Sequence, residues 1–179
     1  MQFLLALSRR IDGLSARVGV VATACILLAC AISAGNAVFR YAFDLSSNAW
    51  LEAQWYLFAG VVMLGAAHTL RRNEHVRVDL LYGFASPRVR AWIDVLGTVF
   101  FLFPAIGLMA WFAWPMFLNS FLSGEVSSNA GGLLRWPVKL LLPLGFSLLF
   151  LQGVSELIKR VAQLRGVDIA LDQYERPEQ

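Results

Sequence analysis

Few side chains in this sequence could do chemistry, and their spacing suits little of it. His68 and His75 lie on one segment, seven residues apart. A bis-histidine haem needs ligands facing each other across a helix bundle, and zinc needs three or four ligands. Two neighbours on one stretch supply neither, so a helix-end or loop role is favoured for both. Cys25 and Cys30 are five residues apart, about 140° from each other around a helix. That spacing suits buried free thiols better than a disulfide or a shared metal. There is no glycine-rich phosphate loop, no Gly-x-Ser-x-Gly turn and no His-Glu-x-x-His pair. Catalysis has no visible support, and no cofactor is expected in this chain.

The ionisable residues agree. Inside a membrane such groups are costly and mark ion or substrate paths. Here those nearest the apolar segments are Glu52, Asp94, Lys139 and Glu156, all near segment ends. Glu52 and Asp94 lie towards helix N-termini, where the dipole favours a carboxylate. Lys139 falls in a first helical turn, where the dipole disfavours a cation, so it wants an acidic partner. Glu52, at the same outer level, and Glu125, on the adjacent connection, are the candidates. The alternative for Lys139 is snorkelling into lipid headgroups.

The elements that position these residues follow from composition. The chain has 179 residues, is 58% hydrophobic and 15% charged, and has a mean hydropathy of +0.62. A soluble domain of this length needs more polar surface, and a disordered chain has lower hydrophobicity. The reading is an all-α integral membrane protein with four transmembrane helices at about 18–39, 49–70, 91–118 and 136–157. Residues 1–165 form a single four-helix membrane domain, followed by a polar cytoplasmic tail at 166–179. The uncharged run 95–124 exceeds one perpendicular crossing. It is expected to tilt, to bend at Pro104 or to run into the interface near Pro115.

Ser46-Ser47-Asn48 offers N-caps for the second span, Ser86-Pro87 a cap with Pro at the first helical position, and Pro137 a start for the fourth. Phe3, Leu4, Leu7, Ile11 and Leu14 recur at helical spacing ahead of the first span. They suit a short N-terminal interfacial helix, the alternative being a frayed terminus. Ala29, Ser33 and Ala37, with Ala31 and Gly35, provide small-residue spacing for close helix packing, and Asn36 could hydrogen-bond across it.

Twelve of the fifteen Lys and Arg fall in the N-terminal stretch, the second connection and the C-terminal tail. The positive-inside rule then puts both termini in the cytoplasm. Trp50, Trp55, Trp111, Trp114 and Trp136 lie towards the outer face, where an aromatic belt is expected. The pI of about 9.2 needs no nucleic acid, because basic residues at membrane ends are attracted by anionic lipid.

Against this background one run of residues is familiar. Asn36-Ala37-Val38-Phe39-Arg40-Tyr41-Ala42-Phe43, Trp50-Leu51-Glu52, Leu64-Gly65-Ala66-Ala67 and His75-Val76-Arg77-Val78-Asp79-Leu80-Leu81 together resemble the small membrane subunit (DctQ-like) of tripartite ATP-independent periplasmic, or TRAP, transporters. The resemblance covers about residues 15–160. Many members carry two adjacent acids after the tryptophan, whereas here Glu52 is followed by Ala53. The run Glu52 to Phe58 looks like the branch often labelled for mannitol or chloroaromatic compounds, with organic or keto acids at least as well supported.

The resemblance implies a bacterial inner-membrane system of three parts. A periplasmic solute-binding protein captures an organic acid or related small solute, and a large membrane subunit moves it with sodium. The small subunit is a fixed scaffold for the large one, and sodium is expected to bind the large partner. On this reading Arg40, Trp50, Glu52, Trp55 and Lys139 meet the large subunit or the docked binding protein. Arg71 and Arg72 meet lipid headgroups, and His75, Arg77 and Asp79 order a loop. For each the alternative is a solvated or headgroup-facing side chain. Three rival readings are the membrane anchor of a redox complex, a self-sufficient small homo-oligomeric transporter and an unrelated structural membrane protein.

Overall fold

The computed structural model describes residues 1–44, 47–74 and 85–167. Among these, four long helices account for nearly everything: α1 (Gln2–Phe43), α2 (Asn48–Arg71), α3 (Pro87–Leu122) and α4 (Trp136–Leu164). They include no strand, and one isolated antiparallel bridge joins Val126 to Leu134. α1, α3 and α4 are long and apolar enough to cross a membrane. α2 is not among them; its apolar run is flanked by Gln54 on one side and His68 and Thr69 on the other.

Local signals set the helix ends. Ser47 caps α2 by accepting a hydrogen bond from the Ala49 amide at 3.3 Å. Ser86 caps α3 with Pro87 in its first turn, where the missing proline N–H costs nothing. α1 ends at Asp44 in the left-handed region (φ 55°), its amide donating to the Phe39 carbonyl.

α1 differs from the expectation. In place of a separate interfacial helix, the N-terminal stretch forms the first turns of one continuous 42-residue helix. At about 1.5 Å per residue it is roughly 63 Å long, about twice a 30 Å hydrocarbon core. The reason is lateral: Ser8, Ile11 and Ser15 are buried, with Ser8 and Ser15 hydrogen-bonded to α4, so the stretch is held by protein. Its contact stripe is Ser8, Ile11, Ser15, Gly19, Ala22 and Ala29. Of the small residues picked out in the sequence, Ala29 is on this stripe, Gly35 is half-buried, and Ala31, Ser33 and Ala37 are exposed.

α3 is irregular where Pro104 demands it. Residues Thr98–Leu102 form a π-helical turn, and the Phe103 amide donates to the Thr98 carbonyl, five residues back. Pro104 has no N–H for its own bond, and the wider turn accommodates the break. Pro115 lies inside the continuing helix, which runs on to Leu122.

α4 is the hub. α1 and α2 pack on each other and both pack on α4, whereas α3 packs on α4 and makes no comparable contact with the other two. The approaches are close. A Cβ at Gly19 would lie 2.6 Å from the His68 ring, and one at Gly145 would lie 2.7 Å from Met63. These helices touch where glycine removes the obstruction. α3 meets α4 through Phe103 and Phe150, ring centroids 4.7 Å apart.

Candidate functional site

Two polar clusters, one at each end of α4, hold the helices in place. At one end Glu52, in the first turns of α2, is only 3% exposed. Its carboxylate accepts hydrogen bonds from the Ser127 hydroxyl, the Asn129 side-chain amide at 2.6 Å and the Leu133 backbone N–H at 2.8 Å. All three donors belong to the connection between α3 and α4. That connection folds back on itself, the Ser127 amide donating to the Leu133 carbonyl at 2.9 Å and the Arg135 amide to the Glu125 carbonyl at 2.8 Å. The Tyr56 hydroxyl, one helical turn along α2, donates to the Leu134 carbonyl at 3.1 Å.

Lys139 takes the other acid. Its ammonium is paired with Glu125, and Arg135 approaches the same carboxylate at 3.5 Å. The Lys139 ammonium holds the Glu125 carboxyl below the ordinary carboxylate range. Lys139 thus finds the acidic partner its first-turn position requires. Glu52 is engaged elsewhere.

At the opposite end the first turns of α1 meet the last turns of α4. Ser15 donates to the Gln152 side-chain oxygen at 2.7 Å, and Gln152 donates to Asp12 at 2.9 Å and Glu156 at 3.0 Å. Ser155 donates to Asp12 at 2.7 Å and lies 2.7 Å from the Ser8 hydroxyl. Lys159 bridges Asp12, at 3.3 Å, and Glu156. Gln152 and Ser155 are fully buried. Arg160 pairs with Asp94 of α3 at 3.1 Å, so α4 is linked to α1 and to α3 at the same level.

The sequence-predicted residues separate into distinct groups. Glu52 and Lys139 face the same connection, as described. Trp50 is 41% exposed and packs on Phe39, ring centroids 6.1 Å apart. Trp55 is 63% exposed. Arg40 is exposed and lies over the Tyr41 ring at 5.3 Å. Arg72 is exposed and paired with Glu74, and Arg71 is half-buried. His75, Arg77 and Asp79 lie outside the described residues.

Sequence reasoning missed Gln54, Gln152 and Asp12. Gln54 reaches across to the Ala29 carbonyl at 3.2 Å. A glutamine inside an apolar helix is the signal that could have flagged Gln54 and Gln152, since a buried amide must find partners.

Residues 29–163 match the family described as "Tripartite ATP-independent periplasmic transporters, DctQ component". The chain is 28% identical over 143 residues to the C4-dicarboxylate TRAP transporter small permease protein DctQ of Pseudomonas aeruginosa, covering 78% of this chain and 66% of that protein. It is 29% identical over 86 residues to the protein of the same description from Vibrio cholerae, covering 47% of this chain and 37% of that protein. The chain thus spans less than two thirds of the length of the relatives it matches. No solved structure matches it. With a family match over most of its length and apolar helices of spanning length, the chain belongs to the DctQ component family of TRAP transporters, as a non-enzymatic, multi-pass protein of the bacterial inner membrane.

Proposed function

We propose that this protein is the stationary small permease subunit of a sodium-coupled TRAP transporter, bracing a large membrane subunit and helping to dock a periplasmic solute-binding protein. The supporting observation is where its polar groups lie. They are tied to one another at the two ends of α4, while residues 18–39, 53–67 and 140–155 hold no charged side chain. An element that moved an ion or an acid would need ionisable or polar groups through its middle. An element that braces needs its ends locked.

On this reading α2 is a fourth crossing, its 24 residues giving about 36 Å of helix. The start of α1, end of α2, start of α3 and end of α4 share one end of the molecule, which also carries Arg9, Arg10, Arg17, Arg71, Arg72, Arg88, Arg90, Lys159, Arg160 and Arg165. The positive-inside rule makes this end cytoplasmic, and the Glu52 end periplasmic. Arg40, Trp50 and Trp55 then face the periplasmic interface, available to either partner, and Arg71 and Arg72 meet lipid phosphates. The solute is an organic acid or related small solute; C4-dicarboxylates, named in both relatives, are the first to test.

The decisive experiment is co-expression with a candidate large subunit and binding protein, followed by affinity purification and liposome uptake. Co-purification with the large subunit, sodium-dependent uptake by the full set and no uptake by this chain alone are expected. Accumulation of a carboxylate by this chain alone along a sodium gradient would overturn the reading.

A further inference from the structure

We propose that the half of α3 towards the Glu52 end, centred on Trp111, seats a transmembrane helix of the large membrane subunit. The inference rests on the small-subunit reading and adds the face through which the partner is held. Its starting point is depth. Asp94 and Glu125 are 31 residues apart, roughly 46 Å at about 1.5 Å per residue. A hydrocarbon core of about 30 Å centred between them ends roughly 8 Å short of each. Trp111 is 17 residues from Asp94 and 14 from Glu125, near the middle of that core. Tryptophans that anchor a protein in a membrane sit at headgroup level. Trp111 lies well below it.

The polar groups on this side are short of partners. Trp111 is 74% exposed, and its indole N–H donates to nothing among the described residues. Pro115, also exposed, has no N–H, which takes from the Trp111 carbonyl its usual donor four residues on. Asn119 is exposed one turn further along, and its side-chain amide has no hydrogen bond among the described residues. At about 100° per residue the three positions span about 80° of the helix surface. Gly107 and Trp114 flank them on one side, where a groove of about 390 Å3 opens between α3 and α4. All three lie at least roughly 36 Å along α3 from Pro87, the end that adjoins the undescribed residues 75–84. Lipid tails cover an apolar face but supply neither acceptor nor donor at this depth. A helix supplies both. One with small residues, and with a serine, threonine, asparagine or freed backbone carbonyl at the level of Trp111, fits the shape and the hydrogen bonding. A second copy of this chain fits poorly. A two-fold axis along the membrane normal sets Leu108, Trp111 and Leu118, all exposed, against their own copies, bulk against bulk.

Photo-crosslinking in intact membranes tests the assignment, with the full chain co-expressed with the candidate large subunit. A benzoylphenylalanine is placed singly at Leu108 and Leu118, on either side of Trp111, and at Leu27 of α1 and Val62 of α2, which are more exposed. Crosslinks to the large subunit are expected from the two α3 positions at least tenfold over the other two. Trp111→Phe keeps an aromatic ring and removes the N–H. It should lower the large subunit retained on affinity purification about threefold to tenfold, the worth of one interhelical hydrogen bond in a membrane. Crosslinks from α1 or α2 as strong as those from α3, a crosslink from α3 to a second copy alone, or full retention by Trp111→Phe would overturn the inference and leave the small-subunit reading standing. Failure of the unaltered chain to capture the large subunit would overturn both.

Discussion

The two ends of α4 solve one problem by different means. At the basic end, side chains on two helices hydrogen-bond and pair directly, Ser8, Asp12 and Ser15 with Gln152, Ser155 and Lys159. At the other end a single helix carboxylate, Glu52, gathers donors from a connecting segment, one of them a backbone amide. The first arrangement fixes helix against helix. The second fixes a loop against a helix, and through the covalent chain it also sets where α3 ends and α4 begins. Polar residues at the ends of apolar helices therefore carry different loads, according to whether their partners are on helices or on a loop.

The largest effect should come from the basic end. Lys159→Met removes the cation shared by Asp12 and Glu156 and leaves two acids facing each other. A loss of about 3 kcal/mol is expected, in line with breaking a buried pair from one side, measured by denaturation in detergent micelles. Gln152→Ala should cost about 1–3 kcal/mol, because Ser15 loses its buried acceptor and Asp12 and Glu156 each lose one donor. Cysteine labelling along residues 2–17 should rise in both variants. Unchanged labelling would show that the first turns of α1 are held by something other than α4.

The loop end should behave differently. Glu52→Ala should release residues 125–135 to fast hydrogen exchange and proteolysis, while exchange in the cores of α1 and α4 stays slow. Equal loosening of helices and loop would erase the contrast between the ends. The smallest effect concerns pH. Glu125 has its carboxyl lowered from an ordinary value of 4.5 by Lys139. A lowered carboxylate adds stability that is present above the unfolded value and lost as pH falls through the folded one. The Glu125–Lys139 contribution should persist down to about pH 4.5 and fade below it, and Glu125→Gln should flatten that part of the profile.

Much of the frame was legible in the chain. The Ser47 cap and the Ser86-Pro87 start each depend on residues within a turn or two, so local chemistry sufficed, whereas for the third span the sequence leaves a tilt, a bend at Pro104 and a run into the interface near Pro115 open. The basic residues at one end were equally plain, because charge asymmetry is a property of the string. For Lys139 the sequence leaves two acids and snorkelling into headgroups open, and the choice turns on Glu52 being engaged by Ser127 and Asn129, more than seventy residues away, while Glu125 stays within reach. The pattern of the N-terminal stretch suits a surface helix or a frayed end, because an amphipathic repeat reveals a polar face without revealing what that face meets.

By itself the sequence determined that the chain must be helical in a membrane, roughly where each helix begins, and that no charged group lies midway along its apolar segments. These follow from hydropathy and local backbone preference, which act over a few residues. Only the tertiary structure decided that α4 is the hub, that among the described residues α3 packs on α4 rather than on α1 or α2, and that Glu52, Gln54 and Gln152 find partners within the chain. Those outcomes depend on which distant surfaces come within hydrogen-bonding distance, and a short-range pattern carries no record of that.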